Sequence, residues 1–327
     1  MTPAEITIVV PVYNEVPANL TALLHRLDLT LTPLSLPYEV VFVDDGSRAV
    51  TANFLRDTAS QHLHVRLVVL SRNFGEQAAI IAGLAHARGR AIINMDSDLQ
   101  DPPELLPMMI QYWREGNDIV FTRQTDRSDA FFRKMATEFY YWLLNKSSPV
   151  TISHAGEFRL LSKRAASAVI SIADSSPFLR SIVPWVGFKQ VVIPFKRDQR
   201  TLGNSSYSFA KLFKVGLSGL FSSNPFVVVA FPIIGSFLVA IATVVALLHW
   251  HNSITVALIA LLVGIINLVT SVSLTVYLGF VVTELRKRPL YIVADVIEKN
   301  AQLDLVPNTA PGIKATTSTT STDRQAR

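Results

Sequence analysis

From Val215 to Thr283 the chain carries no Asp, Glu, Lys or Arg, a run of 69 residues. At ~20 apolar residues per crossing, such a run is long enough for two bilayer spans. Two membrane helices are expected, over 225–249 and 254–283, joined by the short uncharged linker "HWHNS". Pro232 and Gly235 fall inside the first, which a membrane helix tolerates when neighbouring groups satisfy the freed backbone. Lys211 and Lys214 precede the pair, and Arg286, Lys287 and Arg288 follow it. The positive-inside rule then puts both flanks in the cytoplasm and His251 outside. Just before the pair, "YSFAKLFKVGLSGLF" (207–221) has the make-up of an amphipathic helix lying in the interface.

The residues before this run read as a soluble domain. Strand-like apolar runs are "ITIVVPV" (6–12), "EVVFVDD" (39–45), "RLVVL" (66–70), "AIINM" (91–95) and "DIVFT" (118–122). Helical stretches alternate with them at 17–29, 50–61, 76–88 and 103–115. That alternation predicts an α/β fold, a mainly parallel sheet with flanking helices on both faces. The strands are apolar almost throughout, as doubly covered strands are. Further on, "EFRLLS" and "KQVVIPFK" read as strands, and "DAFFRKMATEFYYWLL" (129–144) as a helix mixing aromatic and basic residues. The tail over 307–327, rich in Thr, Ser and Ala, is expected to be disordered. The chain has no cysteine, which rules out disulfides and thiolate zinc sites. Its first apolar run is short, follows Glu5 and lacks a basic lead, so no secretory signal is expected.

Charge is unevenly spread. Residues 1–122 hold 8 basic and 14 acidic residues; residues 123–214 hold 15 basic and 6 acidic. The acidic part suits a cation. The basic part, next to the membrane run, suits anionic lipid better than nucleic acid. In an open α/β sheet, ligands gather outside the carboxyl ends of the strands. Three motifs fall there: "PVYNE", "DDGS" and "DSDLQD". Asp96 and Asp98 can turn toward one point, with Gln100 as a third oxygen, a hard donor set for Mg²⁺ or Mn²⁺. Asp101, before Pro102 and Pro103, reads as a helix cap, and Ser47 as the cap of the helix after "DDGS". No P-loop and no G-x-G-x-x-G is present, which argues against a P-loop NTPase and a dinucleotide enzyme.

Taken in order, "VVPVYNE", "VDDGS", "LSRNFGEQAAIIAGL", "DSDLQDPPE", "TRQTDRSDAFFRK", "GEFRLL", "GNSSYS" and the closing "RKRPLYIV" carry a resemblance. The chain resembles the inverting, GT-A-type glycosyltransferases that act on polyisoprenyl phosphate. These include dolichyl-phosphate mannose synthases, bactoprenol glucosyltransferases and aminoarabinose-type undecaprenyl-phosphate transferases. The likeness spans roughly 5–295. It implies a nucleotide sugar donor, a polyprenyl phosphate acceptor, a Mg²⁺ or Mn²⁺ ion on Asp96, Asp98 and Gln100, and no nucleic acid. Pro11, Tyr13, Glu15, Asp44 and Asp45 would hold the nucleoside, and Arg200 the donor phosphates. Arg123, Arg127 and Arg133 would meet the acceptor phosphate. Asp98 and Glu157 are the catalytic candidates, Glu157 as a base or orienting group.

The resemblance also implies an organisation: a cytoplasmic GT-A domain over 1–205, an interfacial helix over 206–222, a two-helix transmembrane hairpin over 225–283, and a cytoplasmic tail over 284–327. The expected place is the bacterial inner membrane, multi-pass, with room for homo-oligomers through the membrane helices. Glucose is the first sugar to expect, with aminoarabinose-like sugars or mannose next. Two departures stand out: Glu157 where the family often has Asp, and Ser206 where Lys is frequent. A processive synthase is disfavoured, because Q-x-x-R-W is missing. A non-enzymatic lipid-binding or transport subunit would leave the acidic motifs idle.

Overall fold

The computed structural model describes residues 4–124, 156–172, 177–195, 225–248, 253–286 and 288–299. Arg127, Arg133, Arg200, Ser206, the stretches expected to be helical at 129–144 and 207–221, and the tail beyond 299 lie outside the described residues.

Strands and helices alternate as the apolar pattern predicts. They run β1 (Ile6–Val12), α1 (Pro17–Leu31), β2 (Tyr38–Asp44), α2 (Ala49–Gln61), β3 (Val65–Leu70), α3 (Glu76–His86), β4 (Ala91–Asn94), α4 (Leu106–Arg114) and β5 (Ile119–Gln124). The β-branched runs suit a pleated surface. Pro17 opens α1 at a position where its missing N–H costs nothing. Later come β6 (Arg159–Ser162), α5 (Lys163–Ile172), α6 (Leu179–Trp185), β7 (Gln190–Phe195), α7 (Pro225–Leu248), α8 (Ser253–Leu285) and β8 (Val293–Glu298).

The strands form one sheet in the order β7-β5-β6-β4-β1-β2-β3-β8. β4, β1, β2 and β3 are parallel neighbours, with Ile8 opposite Val40 on one side and Ile93 on the other. β6 and β8 run the other way, so the sheet is mixed. The reversal of β6 matters. Its first residue, Arg159, pairs with Asn94, the last of β4. The start of β6 therefore reaches the same sheet edge as the ends of β1, β2 and β4.

Each face is covered. Ile6, Ile8, Val10, Val40 and Phe42 pack with Leu20, Leu23 and Leu27 of α1, Leu55 of α2 and Met109 of α4. Val9, Val41 and Val43 pack on the other face with α3, α5 and α6. Burying one such side chain contributes ~1.5–3 kcal/mol, so the central strands are fixed and cannot slip in register.

The span 284–327, expected as a tail, instead sends Val293–Glu298 back to the sheet, antiparallel to β3. It is held by Arg56–Asp295 (3.1 Å) and Arg88–Glu298 (2.9 Å). The gain is physical: without β8, β3 would present an open ladder of N–H and C=O groups. Between β7 and β8 lie α7 and α8. The stretch Val256–Gly279 is long and apolar enough to cross a membrane, and none of it is buried by the described chain. α7 has 24 residues. It approaches α8 closely at Gly235, where a Cβ would stand 2.7 Å from Thr270 Oγ1.

Gly83 shows how tightly α3 lies on the sheet. A Cβ there would fall 2.2 Å from Val9 Cγ1 and 3.1 Å from Val43 Cγ2. Both neighbours are stiff, buried valines. Gly83→Ala should cost ~1–3 kcal/mol through overpacking, lowering the melting temperature of the purified protein by at least about 2 °C. An unchanged melting temperature would contradict this packing.

Candidate active site

The candidate residues gather at the carboxyl edge of the sheet. Pro11 lies in β1, and Tyr13 and Glu15 follow it. Tyr13 is 56% exposed, free to stack on a flat ring. Asn14 takes a left-handed conformation (φ 55°). Its amide donates to Ser47 Oγ (3.0 Å), and its Oδ1 accepts from the Arg48 amide (2.8 Å). The "PVYNE" and "DDGS" loops are therefore stitched together. Ser47 does not cap α2 as the sequence suggested; its hydroxyl serves the neighbouring loop instead. Glu15 accepts from Asn19 Nδ2 at 2.7 Å, which fixes its carboxylate at the start of α1.

Asp44 and Asp45 end up with different tasks. Asp44 Oδ1 accepts from the Ser47 amide at 2.8 Å, three residues on, which closes the turn through Gly46. Asp45 accepts from two amides of the next loop, Phe74 N (2.7 Å) and Gly75 N (2.9 Å). Burial pushes the Asp45 carboxyl up, against those two amides, which favour the anion. Gly46 lets the loops meet: its φ is 75°, and a Cβ would stand 2.6 Å from Asn73 N. Asp45 is thus the anchor of residues 72–75, a task that its sequence position did not reveal.

After β4 the chain turns sharply. Leu99 is left-handed (φ 64°), a conformation that costs a non-glycine residue ~1–2 kcal/mol. Such strain tends to collect at functional sites. Asp96 and Asp98 are both partly exposed here. Asp98 Oδ1 accepts from the Gln100 amide at 3.2 Å. Asp101 is buried, and its Oδ2 accepts from the Asp96 amide at 3.1 Å. The cap position of the following turn falls on Pro102 rather than on Asp101, and the Asp101 carboxylate braces the turn before it. Asp96, Asp98 and Gln100 share this one turn, and carboxylate and amide oxygens are the donor type that suits a hard divalent cation. Among the described residues no three His, Cys, Asp or Glu side chains converge. Any cation here needs further oxygens from a ligand, as Mg²⁺ usually does when it bridges phosphates.

Glu157 sits on the same edge. Its backbone oxygen accepts from Asn94 Nδ2 at 2.9 Å. Its Oε1 accepts from Arg180 Nε at 2.8 Å, and its Oε2 pairs with Arg159 Nη2. Burial alone would raise the Glu157 carboxyl, but the guanidinium groups of Arg159 and Arg180 outweigh it and hold it below the usual range. Arg159 and Arg180 were not singled out in the sequence. The text "GEFRLL" contains the first, but nothing near it pointed to Arg180, 23 residues on. Arg123 is exposed at the end of β5.

An open hollow of about 360 Å³ lies at the opposite, amino edge, lined by Arg90, Trp113, Asp118, Lys163 and Arg164 among others. Two of its cations are engaged within the fold. Arg164 grips both oxygens of Asp118 at 2.5 Å, and Lys163 donates to Ala87 O. It is remote from every carboxyl-edge motif.

Known proteins bear on this site. The family model "Glycosyl transferase family 2" matches residues 7–183. An uncharacterized glycosyltransferase of Synechocystis is 34% identical over 304 residues, 89% of this chain and 95% of that one. A prophage-derived bactoprenol glucosyl transferase of Shigella flexneri is 32% identical over 303 residues, covering 88% and 97%. Among solved structures, glucosyl-3-phosphoglycerate synthase from Mycobacterium tuberculosis, in complex with Mn²⁺ and UDP-glucose, overlaps loosely, with a TM-score of 0.47 and 16% identity over 68% of this chain and 80% of that one. The matched segment runs from β1 into α6 and so takes in the carboxyl-edge loops after β1, β2 and β4 and the start of β6; the chain belongs to glycosyl transferase family 2 and is a glycosyltransferase.

Proposed function

We propose that the chain transfers a sugar, glucose first among the candidates, from a nucleotide diphosphate sugar to undecaprenyl or a related polyisoprenyl phosphate, with inversion. The observation that carries this reading is the gathering of "PVYNE", "DDGS", the Asp96–Asp98 turn and Glu157 on one sheet edge, in a chain that also holds a bilayer-length apolar helix. Relatives named as bactoprenol glucosyl transferases support the acceptor.

On this reading Tyr13 stacks on the base, while Glu15 and Asp44 meet the nucleoside. Asp45 acts indirectly, by holding residues 72–75. Asp96, Asp98 and Gln100 would hold Mg²⁺ or Mn²⁺, which supplies positive charge to the leaving diphosphate. Arg200 would add to that charge, and Arg123, Arg127 and Arg133 would orient the acceptor phosphate through the planar guanidinium fork. The attacking phosphate oxygen approaches the anomeric carbon from the face opposite the leaving group. It is already anionic near neutral pH, so no side chain has to remove a proton. That fits Glu157, whose oxygens are both taken by arginines. We therefore read Glu157 as a fixed anion rather than a base, and positioning as the main source of rate.

The reading places α7 and α8 across a bacterial inner membrane, with the catalytic domain in the cytoplasm. The return of the chain supports two crossings rather than one. β8 follows α8 and pairs with β3, which precedes α7. Two strands of one sheet lie on one side of a bilayer, so an even number of crossings separates them.

Two outcomes follow. In bilayers containing undecaprenyl phosphate, a screen of labelled nucleotide sugars should yield lipid-extractable label with at least one donor. Asp98→Asn, or excess EDTA, should cut that transfer ~100-fold or more, the scale of losing a main transition-state stabiliser; full activity in either case would sink the metal assignment. For topology, single cysteines can be introduced at His251 and Ala310, because the native chain has none. In intact cells a membrane-impermeant thiol reagent should reach position 251 and not 310. Labelling at 310 would overturn the two-crossing account.

A further inference from the structure

Glu157 is held by two arginines from different elements. Arg159, in β6, is only 1% exposed. Arg180, in α6, has a side chain 33% exposed at the mouth of the cluster. One guanidinium is enough to neutralise one buried carboxylate. The second adds direction. Each carboxylate oxygen has its own guanidinium, Oε1 with Arg180 and Oε2 with Arg159. The carboxylate is thereby locked in rotation.

The cluster also ties three elements together. Gln77, in the first turn of α3, accepts from the Leu179 amide at 3.1 Å, next to Arg180. Arg159 Nη1 donates to Leu179 O at 3.2 Å. The start of α6 is thus pinned to α3 and β6. Gln77 comes two residues after Gly75, which Asp45 holds. Hydrogen bonds therefore lead from Asp45, through the 72–75 loop and Gln77, to α6 and Glu157, and from the Glu157 backbone to Asn94. The donor-side loop and the start of β6 are parts of one braced frame.

We propose that Arg180 is a positioning residue of the transfer step and acts through Glu157. With Arg159 it fixes the Glu157 carboxylate, and with it the lead-in to β6, beside the end of β4. The assignment rests on the glycosyl-transfer reading above. Nothing in the geometry requires Arg180 to touch either substrate.

A double-mutant cycle tests it, with kcat and the nucleotide-sugar Kd measured separately on the full-length protein in bilayers containing undecaprenyl phosphate. Arg180→Gln should lower kcat about tenfold or more, the scale of a misplaced reacting frame. Donor Kd should change less than about twofold. In a Glu157→Gln background the same substitution should cost less than about twofold in kcat, because its target is gone. Arg180→Lys, which keeps the charge but holds one oxygen less rigidly, should fall between wild type and Arg180→Gln. Melting temperatures of all variants separate misfolding from misplacement; if Arg180→Gln does not fold, the Arg180→Lys cycle carries the same comparison. An undiminished kcat, a full additive loss in the Glu157→Gln background, or a donor Kd raised as much as kcat falls would each overturn the proposal. A wild-type protein that moves no sugar to lipid phosphate would instead overturn the functional reading on which it rests.

Discussion

Burial of the central strands on both faces is the constraint from which the rest follows. Ile8, Val9 and Val10 of β1 and Val40 to Val43 of β2 have no exposed surface. A strand enclosed in this way can offer chemistry only at its ends. Four parallel strands give a common carboxyl edge, and the reversed strand β6 brings its own beginning to that edge. Every polar motif of the first 100 residues, and Glu157 beyond them, is placed by this arrangement. The amino edge receives a different kind of polarity, spent on pairing within the fold. There Glu39 accepts from Thr7 Oγ1, Arg66 Nη2 and the Arg88 amide, all within 2.7 Å.

At the carboxyl edge, part of the acidic complement is spent on architecture. Asp45 and Asp101 point their carboxylates at backbone amides and are almost fully buried. They hold loops in shapes that the chain would not otherwise adopt, including left-handed Asn14 and Leu99 on the neighbouring turns. Asp96 and Asp98 remain partly exposed, on the turn that left-handed Leu99 bends. Glu157 belongs to the first group more than to the second, because two guanidinium groups keep it charged and still.

The α/β alternation was legible because fully buried strands leave unbroken apolar runs, and because the helices between them begin at Pro17 or just after Gly75. The strand at Val293–Glu298 was not. It follows the Arg286–Arg288 cluster, which reads as the end of a membrane segment, and its partners, the β3 ladder and the cations Arg56 and Arg88, lie more than 200 residues earlier. The motif residues were legible by type and spacing, but their division of labour was not. Asp44 and Asp45 are adjacent in sequence, and only the approach of residues 72–75 separates their roles. For Glu157 the decisive partner, Arg180, lies on a helix that no sequence pattern marked.

The central claim is that the donor binds at the carboxyl edge, and photoaffinity mapping with an azido nucleotide-diphosphate-sugar analogue tests it most directly. The carboxyl edge and the basic hollow at Arg90, Trp113 and Lys163 lie at opposite ends of the same strands. Peptide sequencing of the labelled protein therefore separates them cleanly. The account predicts competable crosslinks within residues 11–15, 44–48 and 95–101, lost when unlabelled nucleotide sugar is added. Competable crosslinks confined to the hollow around Arg90 and Trp113 would contradict it.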